Sequence, residues 1–283
     1  MTLIMGAVAY DPKVVTIWSG FRSWLLENGI DFDFVLYSNY ERQVEDLLKN
    51  QIDVAWNSPL AWIRARRLAD VQGRRLTPVV MRDTDQDLTS VLIVRDESSY
   101  KDVADLKGET IAVGAVDSPQ ATLIPCSLLR ASGLQPGKDV TIQRFDVGVG
   151  LHGDHIGGER DAARALMAGD VGAAFMIDSN HLLFGHEGTL PAGSTRVVAQ
   201  TPRFDHCNMT VSDTVPVELT ERFGDLLLSM SYADPQVRPL LDLEGLTAWR
   251  PGRTTGYTPL EQAVDEAGFY DAGGAITAAD YRP

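Results

Sequence analysis

The five histidines of this chain lie close together in the sequence, and this clustering is typical of a metal site. All of them fall between His152 and His206 of the 283 residues. Imidazole, carboxylate and thiolate groups are the usual protein ligands of divalent transition metals. We therefore predict a bound Fe or Zn ion, held by ligands drawn from the following residues: His152, Asp154, His155, Glu159, His181, His206 and Cys207.

The densest part of this cluster is the segment 151–159, with the sequence LHGDHIGGE. It follows a predicted strand that ends near Val147, and open α/β sheets bind ligands at the carboxyl ends of their strands. The segment is also similar to the HxHxDHxGG loop of metallo-β-lactamase-fold hydrolases, although Gly150 stands where the first histidine belongs. A solvated turn is the alternative, because Gly and Asp are common in exposed loops. His186, beside Glu187, is more typical of a surface helix end.

The sequence carries few other signs of catalysis. It has no nucleophile and base at a diagnostic spacing, and no Gly-rich loop of the P-loop or dinucleotide type, so we predict no nucleotide cofactor. Cys126 and Cys207 are too few for a disulfide framework. We expect Cys126 in the core and Cys207 either in the core or as a thiolate ligand.

The charge of the chain excludes some partners. Lys and Arg number 25 against 39 Asp and Glu, and the net charge of −14 repels nucleic acid and anionic lipid surfaces. A small anionic ligand remains compatible, because helix N-termini and single arginines act locally. No apolar stretch approaches the length of a membrane helix. Met1 is followed directly by a predicted strand, so we expect a cytoplasmic protein, or a periplasmic or extracellular one if a leader was removed.

The pattern of apolar residues predicts an α/β fold. Val- and Ile-rich runs alternate with amphipathic segments, as in βαβ units. We predict strands over residues 3–10, 32–38, 54–56, 78–82, 89–95, 110–114, 141–147, 173–178 and 196–199. We predict helices over residues 14–28, 40–49, 60–69, 119–131, 163–167 and 218–231. The glycine-containing last stretch is expected to be mostly loop.

The length suits two lobes, each a mainly parallel sheet flanked by helices. We predict a discontinuous first lobe of residues 1–85 plus 205–283 and a second lobe of residues 86–204. The ligand cleft is expected between them, with hinges near residues 82–90 and 200–210.

Several motifs, taken in order, resemble those of one protein family. They are GAVAY at 6–10, DVAWNSPLA at 53–61, DLKG at 105–108 with IAVG at 111–114, DSPQAT at 117–122 with IP at 124–125, DA at 161–162 with AL at 165–166, GDVGA at 169–173 and IDS at 177–179. The chain resembles the phosphate/phosphonate branch of ABC-transporter solute-binding proteins, which are grouped loosely with sulfonate-binding and transferrin-like proteins. This resemblance implies a two-lobed periplasmic-binding-protein-like (type II) fold.

The resemblance also implies a set of ligand-binding residues in the cleft: Tyr10, Asn57, Ser58, Ser118, Gln120, Ala121, Thr122 and Asp178. Independently of it, Asp117-Ser118-Pro119 is typical of a helix start, where free N–H groups suit an oxyanion. Ser118 could equally be only the helix cap, Asp178 a structural cap at a strand end, and Tyr10 a buried aromatic residue.

Two interpretations of the function follow. In the first, the protein closes without chemistry on a small phosphonate- or phosphate-like ligand, with a metal ion in the cleft, and partners a transporter permease only if it is exported. In the second, it is a cytoplasmic metal-dependent enzyme, as in the iron-using pyrimidine-synthase relatives of this fold. Asp154 or Glu159 would then orient a ligand or act as a base.

Overall fold

Two β-sheets flanked by helices organise the chain in a computed structural model that describes residues 1–283. The strands are β1 (Leu3–Val8), β2 (Phe32–Tyr37), β3 (Val54–Asn57), β4 (Leu76–Arg82), β5 (Ser90–Arg95), β6 (Thr110–Val113), β7 (Thr141–Arg144), β8 (Ala173–Ile177), β9 (Thr195–Gln200), β10 (Asn208–Ser212) and β11 (Trp249–Pro251). The helices are α1 (Lys13–Glu27), α2 (Tyr40–Leu48), α3 (Pro59–Val71), α4 (Ile124–Ala131), α5 (Gly157–Ala168), α6 (Asp178–His186), α7 (Val217–Ser229), α8 (Arg238–Glu244) and α9 (Thr258–Ala267). None of these helices is long and apolar enough to cross a membrane.

The first sheet has the order β11-β4-β10-β3-β1-β2, and the second has the order β7-β6-β8-β5-β9. We call each sheet with its flanking helices a lobe. The chain passes from the first sheet to the second between Arg82 and Ser90, and it returns between Gln200 and Asn208. The two connecting segments pair antiparallel at Leu88 and Phe204, with N–O distances of 2.8 and 2.9 Å.

The strand directions are more mixed than the sequence predicts. β1 pairs in parallel with β2 and β3, and β6 pairs in parallel with β7 and β8. β10 runs antiparallel to both β3 and β4, and β5 runs antiparallel to both β8 and β9. β11 also runs antiparallel to its neighbour β4. Two of these three reversed strands, β5 and β10, are the first strands after a connecting segment.

The predicted helix over residues 119–131 is two elements. A π-helical turn spans Pro119–Leu123 and precedes α4. Pro125 has no N–H to donate to the carbonyl of Ala121, and that carbonyl accepts a bond from Gly114 N at 3.2 Å instead. The local break therefore has a cause that is visible in the sequence.

The prediction that the last stretch is mostly loop is wrong at α9. Leu260, Ala263 and Val264 are buried at helical spacing, and Gly268 ends the helix in the left-handed region. The segment from Tyr257 to Tyr281 packs in one apolar cluster with residues of both lobes. That cluster includes Trp62 and Met81 of the first lobe, and Leu123, Ile124 and Ile177 of the second. The chain end thus joins the two lobes.

Candidate functional site

A polar cavity of about 190 Å³ lies between the two lobes. At about 30 Å³ per water molecule, this volume corresponds to roughly six waters, which suits a small solute. Both connecting segments, the start of α6 and the loop before α5 supply its walls. The lining residues are Arg82, Thr84, Asp85, Leu88, Gln120, Gly153, Asp154, Ile156, Ile177, Ser179, Asn180 and His206.

Arg82 organises the charges on the first-lobe side of this cavity. Its Nε and Nη2 lie 2.6 and 2.8 Å from the two carboxylate oxygens of Asp85, and its Nη1 donates to the backbone oxygen of Glu244 at 3.0 Å. Burial alone would raise the pKa of Asp85, but the guanidinium of Arg82 outweighs it and lowers the pKa to about 2. Asp85 is therefore an ionised partner of Arg82.

Asp85, His206 and Cys207 form the one group of metal-ligand types that the fold brings together. Their ligand atoms all lie within 4.8 Å of one another, and all three residues are buried. His206 Nδ1 lies 3.1 Å from Cys207 Sγ and 3.6 Å from Asp85 Oδ1. Burial and the nearby carboxylates raise the pKa of the Cys207 thiol.

Asp154 is a half-buried carboxylate that faces the cavity from the second-lobe side. It accepts a short hydrogen bond from Tyr40 Oη of the first lobe. Burial raises the pKa of Asp154, although His206, Tyr40 and Arg82 oppose that effect. The Asp154 carboxyl accepts hydrogen bonds when it is ionised and can donate one when it is protonated.

His152, which we predicted as a metal ligand, is fully buried in a network beside the cavity. Its Nδ1 lies 2.7 Å from Ser58 Oγ, and its Nε2 lies 3.3 Å from Glu41 Oε1 and 3.2 Å from Tyr281 Oη. Burial would raise the pKa of Glu41, but His152 and Arg64 lower it to about 2. Both imidazole nitrogens are thus occupied by protein groups.

Gly153 places the loop against the start of the π-helical turn. Gln120 Nε2 donates to the Gly153 carbonyl at 2.8 Å. A Cβ atom at Gly153 would lie 2.5 Å from Ser118 Oγ, so the backbone fits closely there. Since Ser118 and Ser58 cap helical elements of opposite lobes, the loop fills the space next to both N-termini.

The other ligand-binding residues implied by the resemblance have varied surroundings. Asn57 is buried and donates to Thr210 Oγ1 at 2.8 Å, and Asp178 accepts from Thr89 Oγ1 at 2.9 Å. Tyr10 is partly buried against the first-lobe core. Ala121 is fully buried, and Thr122 faces a different cavity. Of the eight residues, Gln120 lines the cavity between the lobes.

The remaining predicted metal ligands point in different directions. His155 is exposed, and its Nδ1 accepts from the backbone of Gly157. Glu159 is buried and accepts from Ile177 N at 3.0 Å and from Asn180 Nδ2 at 2.9 Å. His181 lines a separate surface depression with His186. The structure brings only His206 and Cys207 of the predicted set into one group, and it adds Asp85.

Sequence reasoning missed Arg82, Thr84, Asp85, Ser179 and Asn180 as cavity residues. A signal for the first three was present, because Arg82 ends a predicted strand and Thr84 and Asp85 follow it, at the point where the chain leaves the first lobe. Ser179 and Asn180 lie beside Asp178 at the start of α6, where the first N–H groups of a helix have no partner within it.

Solved structures of substrate-binding proteins share this fold. PhnD1 of Prochlorococcus marinus, in complex with methylphosphonate, superposes with a TM-score of 0.69 at 15% identity, over 94% of this chain and 98% of that chain. A binding protein of an ABC phosphonate transporter from Pseudomonas aeruginosa gives 0.62 at 14% identity, over 93% and 85%. The aliphatic sulphonate-binding protein SsuA of Escherichia coli gives 0.60 at 18% identity, over 94% and 91%. These similarities confirm the predicted two-lobed α/β fold.

The family profile described as "ABC transporter, phosphonate, periplasmic substrate-binding protein" matches residues 6–257. That description supports the periplasmic alternative and gives no support to the cytoplasmic location that we expected. The match spans nearly the whole chain and includes every residue that lines the cavity. The protein belongs to this family of ABC-transporter substrate-binding proteins.

Proposed function

We propose that the protein binds a small phosphonate- or phosphate-type solute in the cavity between its lobes and presents it to the permease of an ABC transporter. The observation that carries this proposal is the polar cavity of about 190 Å³ between the lobes, with Arg82 and His206 on one side and Ser179 and Asn180 on the other. Family membership supports the ligand class and the partner.

The start of α6 supplies the groups that suit an oxyanion. The helix begins at Asp178, and its first N–H groups have no partner within the helix. The hydroxyl of Ser179 is exposed to the cavity and can donate a further bond. This end of the cavity therefore favours oxygen atoms that carry negative charge.

Asp154 limits the kind of oxyanion. A carboxylate facing a fully ionised ligand would repel it, whereas a hydrogen phosphonate or hydrogen phosphate can donate its proton to Asp154. A sulfonate has no such proton. We therefore propose that a phosphonate or phosphate binds in preference to a sulfonate of the same size.

Isothermal titration calorimetry with methylphosphonate, inorganic phosphate and methanesulfonate tests this function. We expect saturable binding of methylphosphonate or phosphate, weaker binding of methanesulfonate, and a loss of about 3- to 10-fold in affinity in Ser179→Ala, the effect of one hydrogen bond. Ser229→Ala, on the exposed end of α7, is the matched control and should bind normally. No binding of any oxyanion, or an unchanged affinity in Ser179→Ala, would contradict the proposal.

A soft divalent cation such as Zn²⁺ is the second candidate ligand. Asp85, His206 and Cys207 supply three donors of suitable type within 4.8 Å of one another. Binding would require Cys207 to lose its proton and Asp85 to release one of the two bonds that it accepts from the Arg82 guanidinium. Both changes cost free energy. The ion therefore binds only if the free energy of coordination exceeds that cost.

Elemental analysis of protein purified without chelator tests the metal. A near-stoichiometric transition metal that is lost in Cys207→Ser and kept in Cys126→Ser would support the site. A metal-free protein, or metal retained in Cys207→Ser, would remove this candidate. Cys126 is a fair control because it is the other buried cysteine and lies outside the group.

A further inference from the structure

We propose that residues 148–156 form a latch that holds the two lobes together before any solute binds. This latch loop lies between β7 and α5 in the second lobe, and it contacts the N-terminal ends of α2 and α3 in the first lobe. Its residues Gly153 and Asp154 also line the cavity between the lobes. The latch and the candidate solute site therefore share one segment of the chain.

The latch loop makes hydrogen bonds to the first lobe through its backbone and through its side chains. The N–H of Tyr40 donates to the carbonyl of Gly150 at 3.1 Å. Ser58 Oγ lies 2.7 Å from His152 Nδ1, and Asp154 accepts a hydrogen bond from Tyr40 Oη. Tyr40, Ser58 and His152 are all buried. These bonds are therefore shielded from water, which would otherwise compete for the same groups.

The backbone N–H of Tyr40 depends on the other lobe for its partner. Tyr40 is the first residue of α2, and the first N–H groups of a helix have no acceptor within it. The Gly150 carbonyl fills that role, and its partial negative charge is favourable at the positive end of the helix dipole. Protection of this one amide from exchange with solvent consequently reports whether the latch loop contacts the first lobe.

The backbone of the latch loop is unfavourable without these contacts. Gly148, Gly150 and Gly153 have φ values of 70°, 93° and 80°, and His152 has a φ of 51°. A residue with a Cβ atom rarely adopts this left-handed conformation, and glycines lose more backbone entropy than other residues when they are fixed. Strained conformations persist only where the surroundings hold them. Removal of the contacts should therefore release the loop.

The apolar cluster of the chain end, which includes Trp62 and Ile124, also joins the lobes. Apolar contacts have no preferred direction, so they tolerate sliding of one surface over another. Hydrogen bonds require a defined distance and angle. We therefore assign the fixed orientation of the lobes to the latch loop rather than to this cluster.

The latch should also prepare the cavity for a solute, a step that rests on the proposed function. Arg82 lines the cavity from the first lobe and Asp154 from the second. While the latch loop contacts the first lobe, both walls are in place before the solute arrives. If only a fraction of the molecules is closed, the apparent affinity falls by that fraction. Release of the latch should thus weaken solute binding, although His152 does not line the cavity.

Small-angle X-ray scattering and hydrogen–deuterium exchange of the full chain without solute test the latch. A compact chain of 283 residues has a radius of gyration of about 19 Å. We expect a larger radius in His152→Ala than in the wild-type protein. We also expect the Tyr40 amide to exchange at least about 10-fold faster in this variant, because its partner Gly150 moves away with the loop.

Two controls separate release of the latch from a general loss of stability. Leu106→Ala removes a fully buried side chain from the core of the second lobe, so it destabilises the protein but leaves the latch contacts intact. It should keep the wild-type radius and the wild-type exchange at Tyr40. Tyr40→Phe, a milder variant in case His152→Ala does not fold, loses only the bond to Asp154 and should speed exchange several-fold. Tyr232→Phe, with an exposed hydroxyl, should not.

Several results would overturn the latch: an unchanged radius of gyration in folded His152→Ala, wild-type exchange of the Tyr40 amide in Tyr40→Phe, or equal changes in Leu106→Ala. Titration with methylphosphonate then tests the preparation of the cavity. Several-fold weaker binding in His152→Ala would support it, and unchanged affinity in an opened variant would overturn it. If the wild-type protein binds no oxyanion, the proposed function fails, while the measurements without solute still decide whether the latch exists.

Discussion

The imidazole of His152, on a loop of the second lobe, lies 2.7 Å from the hydroxyl of Ser58, which caps α3 in the first lobe. The same ring stacks on Tyr40 of the first lobe and contacts Glu41 and Tyr281. A single side chain therefore joins both lobes and the chain end in one buried polar network. This role differs from the metal coordination that the sequence predicts for His152.

His152→Ala should destabilise the protein strongly. The substitution removes two hydrogen-bonded ring nitrogens and leaves Ser58 and the buried Glu41 carboxylate short of a partner, and we expect a loss of about 3 kcal/mol in the free energy of unfolding. Urea denaturation followed by circular dichroism measures it. His155→Ala, three residues away and exposed, is the control and should change stability by less than about 0.5 kcal/mol. Equal effects of the two substitutions would show that His152 is only a loop residue.

Gly153→Ala should perturb the same loop by a steric clash rather than by the loss of hydrogen bonds. Gly153 has a φ of 80°, and an added Cβ would lie 2.5 Å from Ser118 Oγ and 2.7 Å from Gln120 Nε2. Gly133, with a φ of 83°, has nothing within 4 Å of the same atom. Both substitutions strain the backbone, so the larger loss that we expect for Gly153→Ala, by about 1 to 2 kcal/mol, measures the close contact. Equal losses in thermal unfolding would mean that the loop relaxes freely.

The elements of the fold could be predicted because their signals are local. Val54, Ala55 and Trp56 form a buried run between two turn signals, and β3 is where the sequence predicts it. α9 was missed because Gly252, Gly256, Gly273 and Gly274 indicate a loop. They outweighed the helical spacing of the apolar residues between them, Leu260, Ala263 and Val264. The mixed strand directions depend on how the chain crosses between the lobes, which no local pattern encodes.

The site could be predicted only in part, because its geometry depends on contacts between distant residues. The family resemblance predicts Ser58 as a ligand-binding residue, and the clustering of the histidines predicts His152 as a metal ligand. Neither signal shows that the two side chains contact each other. Their contact depends on a loop whose position is also determined by Glu41 and Tyr281, far away in the chain. Asp85 belongs to no motif, and its place after a predicted strand is its only sequence signal. Its role becomes clear from its bonds to the Arg82 side chain.

Glu244 should make the stability depend on pH between the ordinary carboxyl pKa and neutrality. Burial, with added repulsion from Asp85, raises the pKa of Glu244 from 4.5 to about 7, against the opposing effect of Arg82. A carboxyl with a raised pKa in the folded state stabilises it below pH 4.5, and this contribution is lost as the pH rises through about 7. The loss can reach about 3 kcal/mol at about 1.4 kcal/mol per pKa unit.

Glu244→Gln, which is uncharged at every pH, should flatten this dependence in urea denaturation midpoints measured from pH 4.5 to 7. Glu27→Gln at the exposed end of α1 makes the same chemical change on the surface and should leave the slope as it is. A wild-type protein that gains stability relative to Glu244→Gln across this interval would contradict the assignment.

Tyr281→Phe should show whether the chain end belongs to the His152 network. The Tyr281 hydroxyl lies 3.0 Å from Glu41 Oε1 and 3.2 Å from His152 Nε2, and the residue is 1% exposed. Its removal should cost about 1 to 2 kcal/mol, whereas Tyr232→Phe, whose exposed hydroxyl bonds to Asp242, should cost less than about 0.5 kcal/mol. In the double variant with His152→Ala, the loss should be smaller than the sum of the two single losses, because the variants remove members of one network. Additive losses would mean that the loop and the chain end are held independently, and that His152 joins only the two lobes.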